Sequence, residues 1–261
     1  MKKLLPGLMA LLIFGGPAVA IEEYQVTVLY DNTVHAPNTK ADWGFACLIE
    51  GAEKTILFDT GTQPDIFWHN IEVLSIDVDA IDLVVISHEH GDHTGGLWTL
   101  LKKKKSGIPV YFPASFTEGF SRRVESEEGA SAIRVTDPLE ICRDVWLTGE
   151  VKGPANELGI IFDTSQGLVF LTGCAHPGIA EMVLHSRSVL EKDVYFVFGG
   201  FHLMEKSQSQ IHAIVERFQE AGVRKCGATH CTGEQQIEWF RQAYGENFVE
   251  MGVGRVIRFP K

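Results

Sequence analysis

The stretch His88-Glu89-His90-Gly91-Asp92-His93 follows directly on the apolar run Leu83-Val84-Val85-Ile86. Three imidazoles and one carboxylate this close together are the ligand types zinc takes when a water must stay bound. A loop at the end of a buried strand lets alternating residues turn into one pocket. His88 and His90 can then serve one ion, and Asp92 and His93 a neighbour. Gly91 allows the tight bend, and Asp92 stands where a helix N-cap is expected. The competing reading is a polar surface loop with fortuitous histidines. Histidines recurring at other strand ends weigh against it.

His176 follows the run ending at Leu171, in Leu171-Thr172-Gly173-Cys174-Ala175-His176-Pro177-Gly178. His202 follows the run ending at Phe198, in Gly199-Gly200-Phe201-His202-Leu203. His230 follows the run ending at Thr229, in Thr229-His230-Cys231-Thr232-Gly233. In α/β sheets, sites gather beyond the carboxyl ends of strands. Any one of these histidines alone reads as a loop residue satisfied by backbone. Jointly, His176 and His230 read as ligands, while His202 stays open between a ligand and another role. Asp59, in Leu57-Phe58-Asp59-Thr60-Gly61, also lies just past a strand. It suits a carboxylate that orients a metal-bound imidazole from behind, or a turn cap before Pro64. His35, His69, His185 and His212 lack such context and read as ordinary polar residues.

Around these segments, short apolar runs alternate with amphipathic stretches. Tyr24 to Tyr30 reads as a strand, and Phe45 to Glu50 with Lys54 to Phe58 as a hairpin. Further strands are expected at 110–112, 160–163, 168–171, 194–198, 226–229 and 253–259. Helices are expected at 65–74, 97–104, 116–124, 179–190, 208–221 and 234–244. Hairpins mixed with strand-helix units predict mixed sheets, and two halves of similar order predict two sheets back to back with helices outside. The 261-residue length and absence of a linker fit one large α/β domain.

The N-terminus has the three parts of a secretory leader: Lys2-Lys3, an apolar run from Leu8 to Phe14, and Ala18-Val19-Ala20 as a cleavage site. The expected division is a signal peptide over 1–20 and one domain over 21–261, giving a periplasmic or secreted protein. The apolar run is short for a membrane span, so no stable membrane association is expected after its removal. The formal net charge is −11, and losing Lys2 and Lys3 makes it more negative still. Such a surface repels phosphate backbones, so a small-molecule substrate is expected and nucleic acid is not. Lys102 to Lys105 reads as a solvated helix end. Five cysteines are too few for a disulfide scaffold. Their odd number leaves at least one unpaired in a monomer, and their pairing and the oligomeric state stay unread.

The pattern His88-x-His90-x-Asp92-His93, with Asp59 before it and His176 and His230 after it, resembles the metallo-β-lactamase superfamily. The resemblance covers residues 24–259 and implies a four-layer αββα sandwich of that fold. It implies that His88, His90 and His176 bind one metal, and Asp92, His93 and His230 another. The 171–178, 199–203 and 229–233 segments resemble one subgroup, named after the dihydropterin ribofuranosylaminobenzene-phosphate synthase. Many superfamily members carry a bridging aspartate between the third and fifth ligand segments, and no aspartate stands at the matching strand end. Asp193 precedes its strand, at the opposite pole. The 199–203 segment offers His202 there instead, to replace the bridge, bind substrate or donate a proton.

The expected activity is that of an exported metal-dependent hydrolase with two divalent ions. Zinc is the default for this ligand set, with manganese or iron as alternatives. A metal-bound hydroxide would attack an ester, lactone, amide or phosphoester, with Asp92 orienting it and serving with His202 as the catalytic pair. The rivals are a β-lactamase-type hydrolase, a transferase or synthase of the dihydropterin type, and a non-catalytic metal-binding module. The loops 33–43, 116–131 and 204–208 are expected to line the pocket.

Overall fold

The computed structural model describes residues 23–104 and 106–261. The leader read over 1–20 lies outside the described residues. The first half of the chain forms β1 (Glu23–Tyr30), β2 (Ala46–Glu50), β3 (Ile56–Phe58), α1 (Pro64–Val73), β4 (Leu83–Val85), α2 (Gly91–Thr94), α3 (Leu97–Lys103), β5 (Pro109–Pro113), α4 (Glu118–Glu125) and β6 (Ser131–Val135). The second half forms β7 (Leu139–Cys142), β8 (Val145–Leu147), β9 (Ile160–Thr164), β10 (Gly167–Thr172), α5 (Ile179–Leu190), β11 (Val194–Gly200), α6 (Gln208–Glu220), β12 (Lys225–Thr229), α7 (Glu234–Tyr244) and β13 (Val256–Pro260).

The strands make two sheets, β13-β1-β2-β3-β4-β5-β6 and β12-β11-β10-β9-β8-β7. Period-two alternation decides which faces meet. From the first sheet, Val26, Val28, Cys47, Ile49, Phe58 and Val85 turn inward. They pack on Leu147, Ile160, Phe162, Val169, Leu171 and Phe198 of the second. The intervening residues turn outward and are covered as well. Leu48, Leu57, Val84 and Phe112 lie under α1, α3 and α4, while Ile161, Phe170 and Val197 lie under α5, α6 and α7. The result is the expected αββα sandwich, with three apolar layers.

Several expected boundaries moved. The region 131–147 forms three short strands that were not read, because Ser131–Val135 and Leu139–Cys142 are half-exposed edge segments mixing polar and apolar residues. The last strand begins at Val256, three residues late, because Val253 and Gly254 form a turn against β1 and the 33–36 loop. The Lys102-to-Lys105 run is not merely solvated: Lys104 is buried, and its ammonium donates to the carbonyls of Val78 and Asp79. No helix among the described residues is long and apolar enough to cross a membrane.

Direction matters most for the site. Strands β3 to β6 run parallel, as do β10 to β12. Their carboxyl ends open on one edge of the sandwich. The loops after β1, β3, β4, β10, β11 and β12 meet there.

Candidate metal centre

Asp59 organises the first side of this edge. Its Oδ1 accepts the Ser87 backbone N–H at 2.7 Å, and its Oδ2 accepts the Ser87 hydroxyl at 2.7 Å. The same Oδ2 lies 2.7 Å from His93 Nδ1. A carboxylate can only accept here, so Nδ1 of His93 carries a proton and Nε2 faces inward, where a cation would displace any proton from it. Ser87, having given its proton to Asp59, accepts at 2.9 Å from His88 Nδ1. That leaves His88 Nε2 as a lone pair. One buried aspartate thus sets the tautomer of two imidazoles.

His230 is set from the other side. Its Nδ1 lies 3.1 Å from Asn32 Oδ1, and the Asn32 amide donates to the His230 carbonyl at 3.2 Å. The His230 Nε2 is buried and has no hydrogen-bond partner, though Asp92 Oδ2 stands 3.4 Å away. A buried imidazole nitrogen without a partner is uncommon. Its lone pair is aimed at the place where a cation would relieve it.

Two donor groups result. His88 Nε2 lies 3.1 Å from His90 Nδ1 and 3.2 Å from His176 Nε2. These spacings approach the ~3.3 Å edge of a tetrahedron around an ion with bonds of about 2.0 Å. Asp92, His93, His230 and Cys174 form the second group, with all donor atoms within 4.8 Å of one another. The structure therefore brings together all six residues expected as ligands, in the expected pairing, with Asp59 behind them. The donor chemistry and the orphaned nitrogen fit divalent ions.

His202 does not join the second group. Its ring lies 4.2 Å from that of His176, and its donor atom clusters with Cys174 and Cys231. The bridge position that sequence offered to His202 is flanked instead by Cys174, whose Sγ is 3.2 Å from His93 Nε2. Asp92 is also not an N-cap: His90 holds that position of α2 without a side-chain capping bond, and Asp92 sits inside the first turn. Trp43 Nε1 donates to Asp92 Oδ2 at 2.9 Å, fixing that carboxylate from outside.

Glu157 was missed entirely. It is fully buried, and its Oε1 accepts from the Thr172 hydroxyl and the backbone N–H groups of Gly173, Cys174 and Ala175, at 2.8–3.1 Å. Its Oε2 accepts from His176 N–H at 2.9 Å. Five donors on one carboxylate mould the loop that carries Cys174 and His176. In Asn156-Glu157-Leu158 no spacing marks this residue. Asp59, Ala175, His202 and His230 all take left-handed backbone, with φ between +51° and +58°. Such strain concentrates where surroundings over-determine a site.

The electrostatics follow from this packing. Burial pulls His93 down, but the Asp59 carboxylate outweighs it and raises it to about 9. Burial, with His202 and His90 close by, lowers His176 to about 3. Burial pushes Asp92 up, yet contact with His230 and His93 prevails and holds it below the usual carboxylate range. Asp31 is buried behind His230 and accepts the Thr229 hydroxyl at 2.6 Å. Burial raises it to about 6.

A cavity of about 580 Å³ opens beside His230, lined by Asn32, Trp43, Met204, Gln236 and Ile237 among others. The 33–43 and 204–208 loops contribute to it as expected, but the 116–131 loop does not. Thr117 instead binds Glu89 through its backbone N–H, and Arg134 holds the 114–117 carbonyls. That loop is thereby tied down at the rim.

The chain belongs to the metallo-beta-lactamase superfamily, whose family model matches residues 44–192. It is 29% identical to the 7,8-dihydropterin-6-methyl-4-(beta-D-ribofuranosyl)-aminobenzene-5'-phosphate synthase of Methanocaldococcus jannaschii, over 83% of this chain and 90% of that protein. Among solved structures it is similar to a metal-dependent hydrolase of the beta-lactamase superfamily. The TM-score is 0.77 at 25% identity, covering 91% of this chain and all of that one. Human tRNase Z, short form, shares the fold at a TM-score of 0.63 and 15% identity, over 91% of this chain and all of that one.

Proposed function

We propose that this chain is a metal-dependent hydrolase acting on a small molecule. The observation that carries the reading is the pair of donor groups, His88/His90/His176 and Asp92/His93/His230, converging with lone pairs preset. His88, His90 and His176 would hold one divalent ion, and Asp92, His93 and His230 the other, with zinc the first choice. Bound there, divalent ions would supply a more acidic water and Lewis-acid polarisation of an ester or phosphoester oxygen. Asp92, held by Trp43, orients the attacking water and carries its proton toward the leaving group. Asp59 and Asn32 keep the imidazoles in the tautomer that presents a lone pair. Asn32, Trp43 and Met204 line the cavity beside His230, where a substrate would sit. Its size suits a small molecule rather than a polymer, in keeping with the acidic composition.

A second reading is favoured by the relative from Methanocaldococcus jannaschii, which is matched over nearly its whole length. On that reading the same centre runs a group transfer on a pterin or ribosyl-phosphate compound. The 1–20 stretch reads as a secretory leader, and a protein exported by it would sit apart from a cytosolic pterin pathway, which supports the hydrolytic reading. The test is a metal-reconstituted screen of esters, lactones, phosphodiesters and a chromogenic cephalosporin, run beside the dihydropterin synthase reaction. Turnover of a hydrolysable substrate that disappears in His90→Ala and Asp92→Ala supports the proposal. Full activity in a metal-free His90→Ala protein overturns it.

A further inference from the structure

Cys174 and Cys231 are used by none of the steps above. Both are buried and reduced. They arrive from the loops after β10 and β12, and their sulfurs lie 3.1 Å apart. The loop after β11 adds His202, whose backbone N–H donates to Cys231 Sγ at 3.3 Å. The three side-chain donor atoms lie within 4.8 Å of one another. The fold accommodates this meeting at some expense. His202 is held in left-handed backbone at φ +53°. A Cβ on Gly200 would stand 2.3 Å from the Gly173 carbonyl oxygen and 2.9 Å from Cys231 Sγ, so glycine lets these loops close together around that sulfur.

Two sulfurs and an imidazole are a soft donor set, unlike the nitrogen and oxygen donors beside it. The separation is well beyond the ~2.05 Å of a disulfide and short of the ~3.8 Å edge of a tetrahedron with zinc–sulfur bonds of about 2.3 Å, so an ion would part the two sulfurs by a fraction of an ångström. His202 is exposed, so the group has a route to solvent.

We propose that Cys174, Cys231 and His202 form a third cation position, contiguous with the two histidine and aspartate positions, which takes a thiophilic divalent ion such as zinc or cadmium. Cys174 Sγ, 3.2 Å from His93 Nε2, is the shared corner of the two neighbouring positions. Each thiol that binds gives its proton to solvent, and no oxidant is required. The inference concerns metal content and does not rest on the hydrolytic reading.

The test is cadmium titration of the reduced, chelator-stripped full chain under inert gas, followed by thiolate-to-cadmium charge-transfer absorbance and by bound metal per chain. The expected wild-type result is three equivalents, with the thiolate band present. Cys231→Ser is expected to bind two and to lose most of the band. His202→Ala should keep the band but weaken the third equivalent about tenfold or more. A thermal melt checks that each variant folds. For a variant that does not fold, alkylation of the wild-type chain replaces it: cadmium should shield both thiols from iodoacetamide in the native protein. Equal stoichiometry in wild type and folded Cys231→Ser, or thiols alkylated equally with and without metal, overturns the proposal. So does a 2 Da mass loss marking a disulfide under the same reducing conditions. Loss of thiolate-free equivalents in Asp92→Ala, with the band retained, supports it whatever reaction the centre runs.

Discussion

Glu157→Gln exchanges one oxygen for an NH₂ and removes one charge where five donors converge. The substitution nearly preserves shape, so its effect isolates the hydrogen bonds. Whichever side the amide nitrogen takes, at least one buried backbone N–H faces it without an acceptor, which costs about 1–3 kcal/mol. The remaining bonds lose their charge assistance, falling from about 1.5–3 toward about 0.5–1.5 kcal/mol each. Part of this is offset because the charge no longer has to be held out of water. The expected net loss is about 3 kcal/mol, a large share of the ~5–15 kcal/mol of a typical domain. The 172–176 loop carries His176, so metal affinity should fall by about 10–100-fold, the usual range for a residue orienting a ligand. Calorimetric melting of the stripped protein reads the first effect. Competition with a chromophoric chelator reads the second. An unchanged Tm together with affinity within about twofold of wild type would refute the claim that this carboxylate moulds the loop.

Asp59→Asn leaves an amide facing His93 Nδ1–H and Ser87. Metal retained after dialysis against chelator should drop by about 10–100-fold, and undiminished retention would contradict the tautomer argument. Asp31 lies at about 6 when folded, above its ordinary 3.8, so ionising it disfavours the folded state. Its stabilising contribution is complete below about 4 and is lost as pH rises through about 6. Asp31→Asn should therefore flatten the fall in Tm of the stripped protein across that window, and parallel curves for the two proteins would count against burial as the cause. Phe162, fully buried between the sheets with its ring 5.0 Å from Tyr24 and 5.2 Å from Phe259, should lose about 3–5 kcal/mol of stability on truncation to Ala. Urea unfolding checks it, and a loss under about 1 kcal/mol would mean that the inter-sheet core is loosely packed.

Much of the fold was legible because period two in the strands and period 3.6 in the helices are written directly in hydrophobicity. Val26 and Val28 already point to one face as letters, whereas the Ser207–Gln210 capping box that starts α6 went unread. The six converging ligands were legible for a related reason, since each stands at the end of a recognisable apolar run. Glu157, Asn32 and Ser87 were not. Their roles depend on which backbone groups a distant loop presents, and neighbouring letters carry no trace of that. Cys174 and Cys231 stood in site segments, but only the meeting of the β10 and β12 loops shows that they touch. His202 was visible as chemistry but not as geometry: beyond the end of β11 at Gly200 it takes left-handed backbone, and its donor atom falls beside the two sulfurs rather than in the Asp92 group. The edge strands at 131–147 escaped because one-sided burial leaves their pattern weak.

The most direct test of the central claim is a crystal of the metal-reconstituted protein with anomalous scattering recorded on either side of the metal absorption edge. Two peaks about 3.5–4 Å apart, one against His88, His90 and His176 and the other against Asp92, His93 and His230, are the expected result, with the proposed third ion giving a separate peak against Cys174, Cys231 and His202. A fully reconstituted crystal with no anomalous peak against either group, or with its metal bound away from the shared carboxyl-end edge, would contradict the account.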